Sequence, residues 1–354
     1  MSKGLKCAIK RVVPPSTAMV DARIFNATEE MRAMICGLSA ELASCRKDLS
    51  AFYADLFSDQ IEIDRDWLDA FARAHEHPLV VSVASYGPRA SLMASMVRSL
   101  GRQTLQPDLI CFWLPAGDFP GGLADIPVEV LHEMKAVGSK VCWVEDDLGA
   151  HNKYFHIMQA VPHADVVTLD DDCVYQPELL AELKKTSERF PGCVVASRAN
   201  LMAFQGDKGG LAPYCEWELG QRRFVDEPRS DLLPTGLGGV FYPAGVLPSM
   251  AFDAETIRET CLCADDLWLK VMEAIADVKT VATRFEFVPR YIDGSQEVGM
   301  FIQNVDGGEN DRQLSAVLNR LRHEIPAYDI VNWLKSDLDK SDNPKGDWRS
   351  DEAG

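Results

Sequence analysis

The run Asp170, Asp171 and Asp172 in "VVTLDDDCVYQPELL" sets three carboxylates between an apolar stretch of strand character and a helix opened by Pro177. Two unit charges ~4 Å apart repel by about 4 kcal/mol at the effective dielectric near a protein surface, so the cluster calls for positive charge beside it. In extended backbone Asp170 and Asp172 point to one face and Asp171 to the other. Two carboxylates on one face suit a hard divalent cation, Mg²⁺ or Mn²⁺, which takes one or two carboxylates and fills its other positions with water and phosphate oxygens. An acidic site can hold a diphosphate by that route. The competing reading is a solvated acidic turn before a helix, whose dipole also favours carboxylates.

Three other groups carry chemistry. Asp265 and Asp266 in "CADDLWLKV" precede a helical stripe of Leu267, Val271, Ala274 and Ile275, where an Asp can also serve as a cap. The segment "GLGGVFYP", 236–243, offers close backbone approach at Gly238 and Gly239 beside aromatic rings. It is not a phosphate-binding P-loop, since no G-K-[ST] follows, nor a dinucleotide fingerprint, since it lies late in the chain. Trp217 and Trp268 are candidate stacking platforms for a ligand, with burial in the core as the alternative.

The elements that must position these residues alternate. From Leu79 onward, short Val/Ile-rich runs ("LVVSVAS", "LICFWL", "KVCWV", "VVTL", "CVVAS") are separated by amphipathic stretches near 90–101, 127–137, 152–161 and 177–190. That texture predicts an α/β fold with a largely parallel central sheet. Further helices are expected near 254–277 and 311–322. Ligands of such sheets gather outside the carboxyl ends of the strands, which selects Ser85–Arg89, Glu145–Asp147 and Asp170–Asp172 as one rim. Upstream, Met31, Met34, Ile35, Leu38 and Leu42 recur at helical spacing and predict a helical N-terminal extension.

Composition excludes some partners. With 36 Lys+Arg against 54 Asp+Glu, the net charge of −18 has the wrong sign for wrapping nucleic acid or coating an anionic membrane. The ten cysteines are scattered, without a C-x-x-C pair, and read as reduced thiols of a cytoplasmic protein. No 18-residue apolar run and no signal-peptide h-region is present, so no membrane span is expected.

The span from about 79 to 320 resembles a nucleotide-sugar glycosyltransferase of the GT-A type, similar to the family 2 group of bacterial surface-polysaccharide assembly. The residues carrying the resemblance are "VSVASYGPR", "RSLGRQTLQPDLICFWLP", "VEDDLGAHNKYFHIMQAVPHADVVTLDDDCVY", "GLGGVFYPAGVL" and "CADDLWLKVMEA". It implies a Rossmann-like fold, a nucleoside diphosphate sugar donor, UDP first among them, a saccharide acceptor, and a divalent metal (Mn²⁺ or Mg²⁺) at Asp170 and Asp172. It also implies that Ser85, Tyr86, Arg89, Asp146, Lys153, Asp170 and Asp171 contact the nucleotide. Asp265 or Asp266 would be the base that activates the acceptor in an inverting transfer, with the choice between them open.

The expected organisation is a helical extension over 1–77 and a GT-A domain over 78–325, its nucleotide-binding half at 78–175 and its acceptor half at 176–325. A polar tail over 326–354 is expected to be disordered. The rivals are a noncatalytic nucleotide- or carbohydrate-binding partner of an assembly complex and a sugar nucleotidyltransferase of related fold, though "SVASYGPR" lacks the latter's Gly-rich first loop. A phosphatase with an Asp nucleophile is a third, for which "TLDDDCVY" lacks the expected surroundings. Sequence alone leaves oligomerisation open.

Overall fold

Val80, Val81 and Val83 are wholly buried because β1 (Leu79–Ala84) runs through a sheet covered on both faces, and strands in that position read as continuous apolar runs. The structure, a computed structural model, describes residues 17–90, 92–205, 210–294, 308–324 and 329–338. It divides into two compact units, Met1–Leu49 and Ser50–Gly354. Helix α1 (Thr17–Ile61) supplies the described part of the first and the opening residues of the second.

The second unit begins 28 residues before the expected boundary at 78, for a packing reason. Tyr53, Phe57 and Ile61 pack on the core cluster that contains Val81 and Val83. Helix α2 (Arg65–Ala74), capped by Asp64, buries Leu68 and Phe71 against Val80 and Cys111.

Around β1 lie β2 (Leu109–Pro115), β3 (Lys140–Val144) and β4 (Asp165–Leu169), all parallel, with Val81 opposite both Ile110 and Val167. The helices α3 (Gly87–Ala90), α4 (Ala94–Leu100), α5 (Val128–Val137) and α6 (Asn152–Ala160) make the crossovers. Helix α7 (Leu179–Arg189) leads to β5 (Val194–Ala196). A small antiparallel sheet follows, β6 (Ala199–Leu201) with β7 (Leu232–Pro234). Strand β8 (Val240–Tyr242) then returns to the main sheet, antiparallel to both β4 and β5. The expected helix at 254–277 is interrupted around Cys261–Ala264, giving α8 (Ala254–Thr260) and α9 (Asp265–Ile275). Strand β9 (Thr280–Ala282) completes a seven-stranded sheet of order β3-β2-β1-β4-β8-β5-β9. The fold is α/β, Rossmann-like, with a mostly parallel sheet.

Strand β8 starts at a glycine for a reason. Gly239 has φ +88°, and a β-carbon there would lie 2.8 Å from Leu169 Cδ2. Only a residue without a side chain turns the chain this tightly against β4. At the C-terminal side, α10 (Glu309–Glu324) packs Leu314, Val317 and Leu321 beside α9.

The tail departs from expectation between 329 and 338. Helix α11 (Ile330–Leu334) buries both its end residues, and Asp337 is fully buried. Its carboxylate accepts from the Ser230 N–H at 2.8 Å and pairs with Lys279 at 3.0 Å. Polar composition masks an apolar anchor, Ile330, Trp333 and Leu334, too short to stand out. Residues 1–16 of the extension and residues 326–328 and 339–354 of the tail lie outside the described residues. Asp337→Ala leaves the Ser230 N–H and the Lys279 ammonium without this acceptor, and should lower stability by about 2 kcal/mol in chemical denaturation. No loss would mean that the 329–338 segment is not docked in solution.

Candidate active site

Because β1 and β4 are parallel neighbours, their carboxyl ends place Ser85 and Asp170–Asp172 side by side. The backbone after Leu169 turns at once, so the three aspartates do not alternate as an extended strand would. Asp171 and Asp172 share one partner. Arg89 Nη1 lies 2.5 Å from an Asp171 oxygen and 3.3 Å from an Asp172 oxygen. The Ser85 hydroxyl donates to the second Asp171 oxygen. Asp170 instead meets the Lys153 ammonium at 2.8 Å. The expected facing pair, Asp170 with Asp172, is therefore replaced by a split in which each side has its own cation.

Lys153 is the centre of the arrangement. It is 4% exposed, and its ammonium also lies 2.8 Å from Asp265. Burial alone would lower its pKa, but Asp170, Asp265 and Asp266 more than offset that and hold it well above the ordinary lysine value. The partners separate in the same way. Burial works to raise the Asp265 pKa, yet Lys153 and His151 bring it below the usual carboxylate value. Asp266 has no such partner at contact distance, and burial together with the Asp265 charge raises its pKa well above the ordinary range. Its carboxylate accepts the Gly236 N–H at 3.1 Å.

Helix α9 positions both acids from its first turn, after Ala264 as the cap residue, so neither Asp265 nor Asp266 spends its side chain on capping. Gly236 closes the floor between them and Asp170. A β-carbon there would stand 2.6 Å from both Asp170 Oδ1 and Lys153 Nζ, so any side chain would displace the ion pair. Helix α6 supplies Lys153, and His151 just before it is buried, bonded to the Cys261 carbonyl and the Tyr154 hydroxyl.

Several expected site residues stand elsewhere. Trp268 is fully buried with its indole N–H on the Ala251 carbonyl, and Trp217 is 4% exposed with its own on the Ala212 carbonyl, so neither ring face is open to a sugar. Gly238 and Gly239 pack against protein, the first against Ser197 and Arg198, the second against Leu169. Asp146 is exposed and pairs with Arg258 instead of joining the cluster. Tyr86 is half-buried, its ring 5.8 Å from the Arg89 guanidinium carbon.

Two contributors escape the sequence reading. Arg198, just after β5, donates to Thr235 and Asn200, and its charge reaches Tyr214 and Tyr291. Tyr291 lies in the segment bridged to Cys173, where the Ile292 N–H meets the Asp172 carbonyl. The strand-end rule, applied to β5 as well as to β1, β3 and β4, would single out Arg198. Nothing local marks Tyr291, which arrives from more than a hundred residues away.

No family model matches the chain, and no curated protein matches it. Solved structures do. Glucosyl-3-phosphoglycerate synthase from Mycobacterium tuberculosis in complex with phosphoglyceric acid is 13% identical over 71% of this chain and 84% of its own, with a TM-score of 0.39. The same enzyme with Mg²⁺ and uridine-diphosphate is 12% identical over 72% and 86%, at 0.41. S. aureus TarS 1-349 in complex with UDP is 13% identical over 69% and 72%, at 0.36. Likeness at this level carries nothing to individual site residues.

The charge arrangement predicts distinct pH signatures for Asp266 and for Lys153. A carboxylate whose folded pKa is raised stabilises the fold only at low pH, and that contribution is lost as pH rises through the folded value. Asp266→Asn should therefore gain stability over the parent as pH climbs from 4 to 8, in melts followed across that range. The gain is about 1.4 kcal/mol for every pH unit that separates the folded from the unfolded pKa of Asp266. Lys153→Met strands buried carboxylates and should cost about 3 kcal/mol near neutrality, less in acid. A pH-independent difference in both variants would overturn this electrostatic account.

Proposed function

We propose that this site transfers a sugar from a nucleoside diphosphate donor, UDP being the first to test, to a hydroxyl of a saccharide acceptor with inversion. The observation that carries the reading is the divergence of Asp265 and Asp266. One is fixed as a counter-ion to Lys153 with its pKa lowered, while the other, partly accessible, has its pKa raised by burial and by the charge of Asp265. A general base must take up a proton, which a carboxylate of raised pKa does more readily than one fixed as a counter-ion, and this favours Asp266 over Asp265. Asp266 takes the acceptor hydroxyl's proton as that oxygen bonds to the anomeric carbon, and the bond from that carbon to the diphosphate breaks on the opposite face. Arg89, Lys153 and Arg198 are the cations close enough to this rim to meet the departing charge.

The donor set is compatible with a divalent cation. Asp170, its side chain 32% exposed, and Asp172 are the carboxylates that would hold Mn²⁺ or Mg²⁺, with phosphate oxygens and water as the remaining ligands. No group of three His, Cys, Asp or Glu suited to a metal occurs among the described residues. A bound cation would supply neutralisation of the leaving diphosphate. Among the described residues no helix is long and apolar enough to cross a membrane.

Asp266→Asn should reduce turnover at least ~100-fold while UDP binding by calorimetry stays within about threefold of the parent. Undiminished transfer would remove Asp266 from the reaction; binding without turnover in the parent would identify a noncatalytic partner. UDP should bind more tightly with Mn²⁺ than in EDTA. Equal affinity would leave charge neutralisation to Arg89, Lys153 and Arg198.

A further inference from the structure

Helix α1 carries an apolar seam that no described residue of the first unit covers. Met31, Ile35, Leu38, Leu42 and Leu49 are between 49% and 63% exposed, and Cys45 is exposed with them. Their spacing alternates four and three without exception. A helix of 3.6 residues per turn keeps such a 3.5-residue seam aligned only by supercoiling left-handed around another helix. In heptad terms Ile35, Leu42 and Leu49 occupy a, and Met31, Leu38 and Cys45 occupy d. The same spacing runs on in sequence to Phe52 and Leu56, also exposed.

Charge order at the flanks selects a partner. Glu41 is at g and Arg46 at the e position five residues on, so two copies lying parallel and in register set Glu41 of each beside the partner's Arg46. Antiparallel pairing about the same centre sets Glu41 near the partner's Asp48, like against like. A single exposed helix is marginal in water without a packed face, which a second copy supplies. We propose that Met31–Leu49 pairs with the same segment of a second copy of this chain as a parallel, in-register, two-stranded coiled coil.

The test reads mass and is independent of any activity. The full chain under reducing conditions should sediment at twice its 39.2 kDa, and Leu38→Glu with Leu42→Glu should halve that mass while leaving the melt of the α/β unit unchanged. Mild oxidation should cross-link the chains through Cys45, a product lost in Cys45→Ser and kept in Cys36→Ser. Leu38→Cys in the Cys45→Ser background should restore it, whereas an antiparallel pair centred on Cys45 would not. A monomeric parent, a mass above two chains, an unaltered mass in the double variant, or no cross-link through residue 38 would each overturn the proposal.

Discussion

The buried ammonium of Lys153 is the constraint around which the site is arranged. A charge 4% exposed is tolerable only where opposite charges surround it, and here they come from two distant parts of the chain, the end of β4 and the start of α9. Bringing them together requires the first turn of α6 to lie at the carboxyl ends of the strands, and requires Gly236 to pass without a side chain. The same ammonium sets two adjacent aspartates apart, lowering the pKa of Asp265 while burial and the Asp265 charge raise that of Asp266. Adjacent carboxylates with environments that push their pKa values apart are a recurrent way for a protein to obtain a base that is not also a fixed anion. Arg89 repeats the principle on the other side of Asp171, so each end of the acidic triplet is held by its own cation.

Much of this is readable from the sequence, and the unread part has physical causes. The strands from Leu79 onward announce themselves because parallel strands buried on both faces are continuously apolar, and the rule that ligands gather at strand ends then brings Ser85, Arg89 and Asp170–Asp172 to one rim. The orientation of the triplet is misread because the rule of alternating faces holds only while the strand continues, and β4 stops at Leu169. Trp217 and Trp268 cannot be sorted between platform and core from sequence, since burial depends on elements remote along the chain. Asp146 follows its strand end but is diverted by Arg258, a partner more than a hundred residues later. The packing of 50–77 and 329–338 depends on a few apolar side chains set in polar stretches, where local composition misleads.

The acidic balance of the chain sets a condition on any anionic ligand. A net charge of −18 repels anions at long range, so any attraction for one must be short-range, and at this rim Arg89 and Lys153 supply the positive charge. Both cations are matched by carboxylates, so their pull on an anion is felt only at short range.

The antiparallel strand β8 bears on how the molecule comes to be made. It fills the gap between β4 and β5, yet it leaves the ribosome roughly 70 residues after β4 is finished. At synthesis rates of about 5–20 residues per second, the edge of β4 waits several seconds for its partner, with Val166 and Val167 on offer to any other strand. The nascent chain thus passes through an interval in which four parallel strands can assemble but their sheet cannot close, and it is during that interval, before Gly239 turns the chain inward, that misassembly and chaperone capture compete with folding.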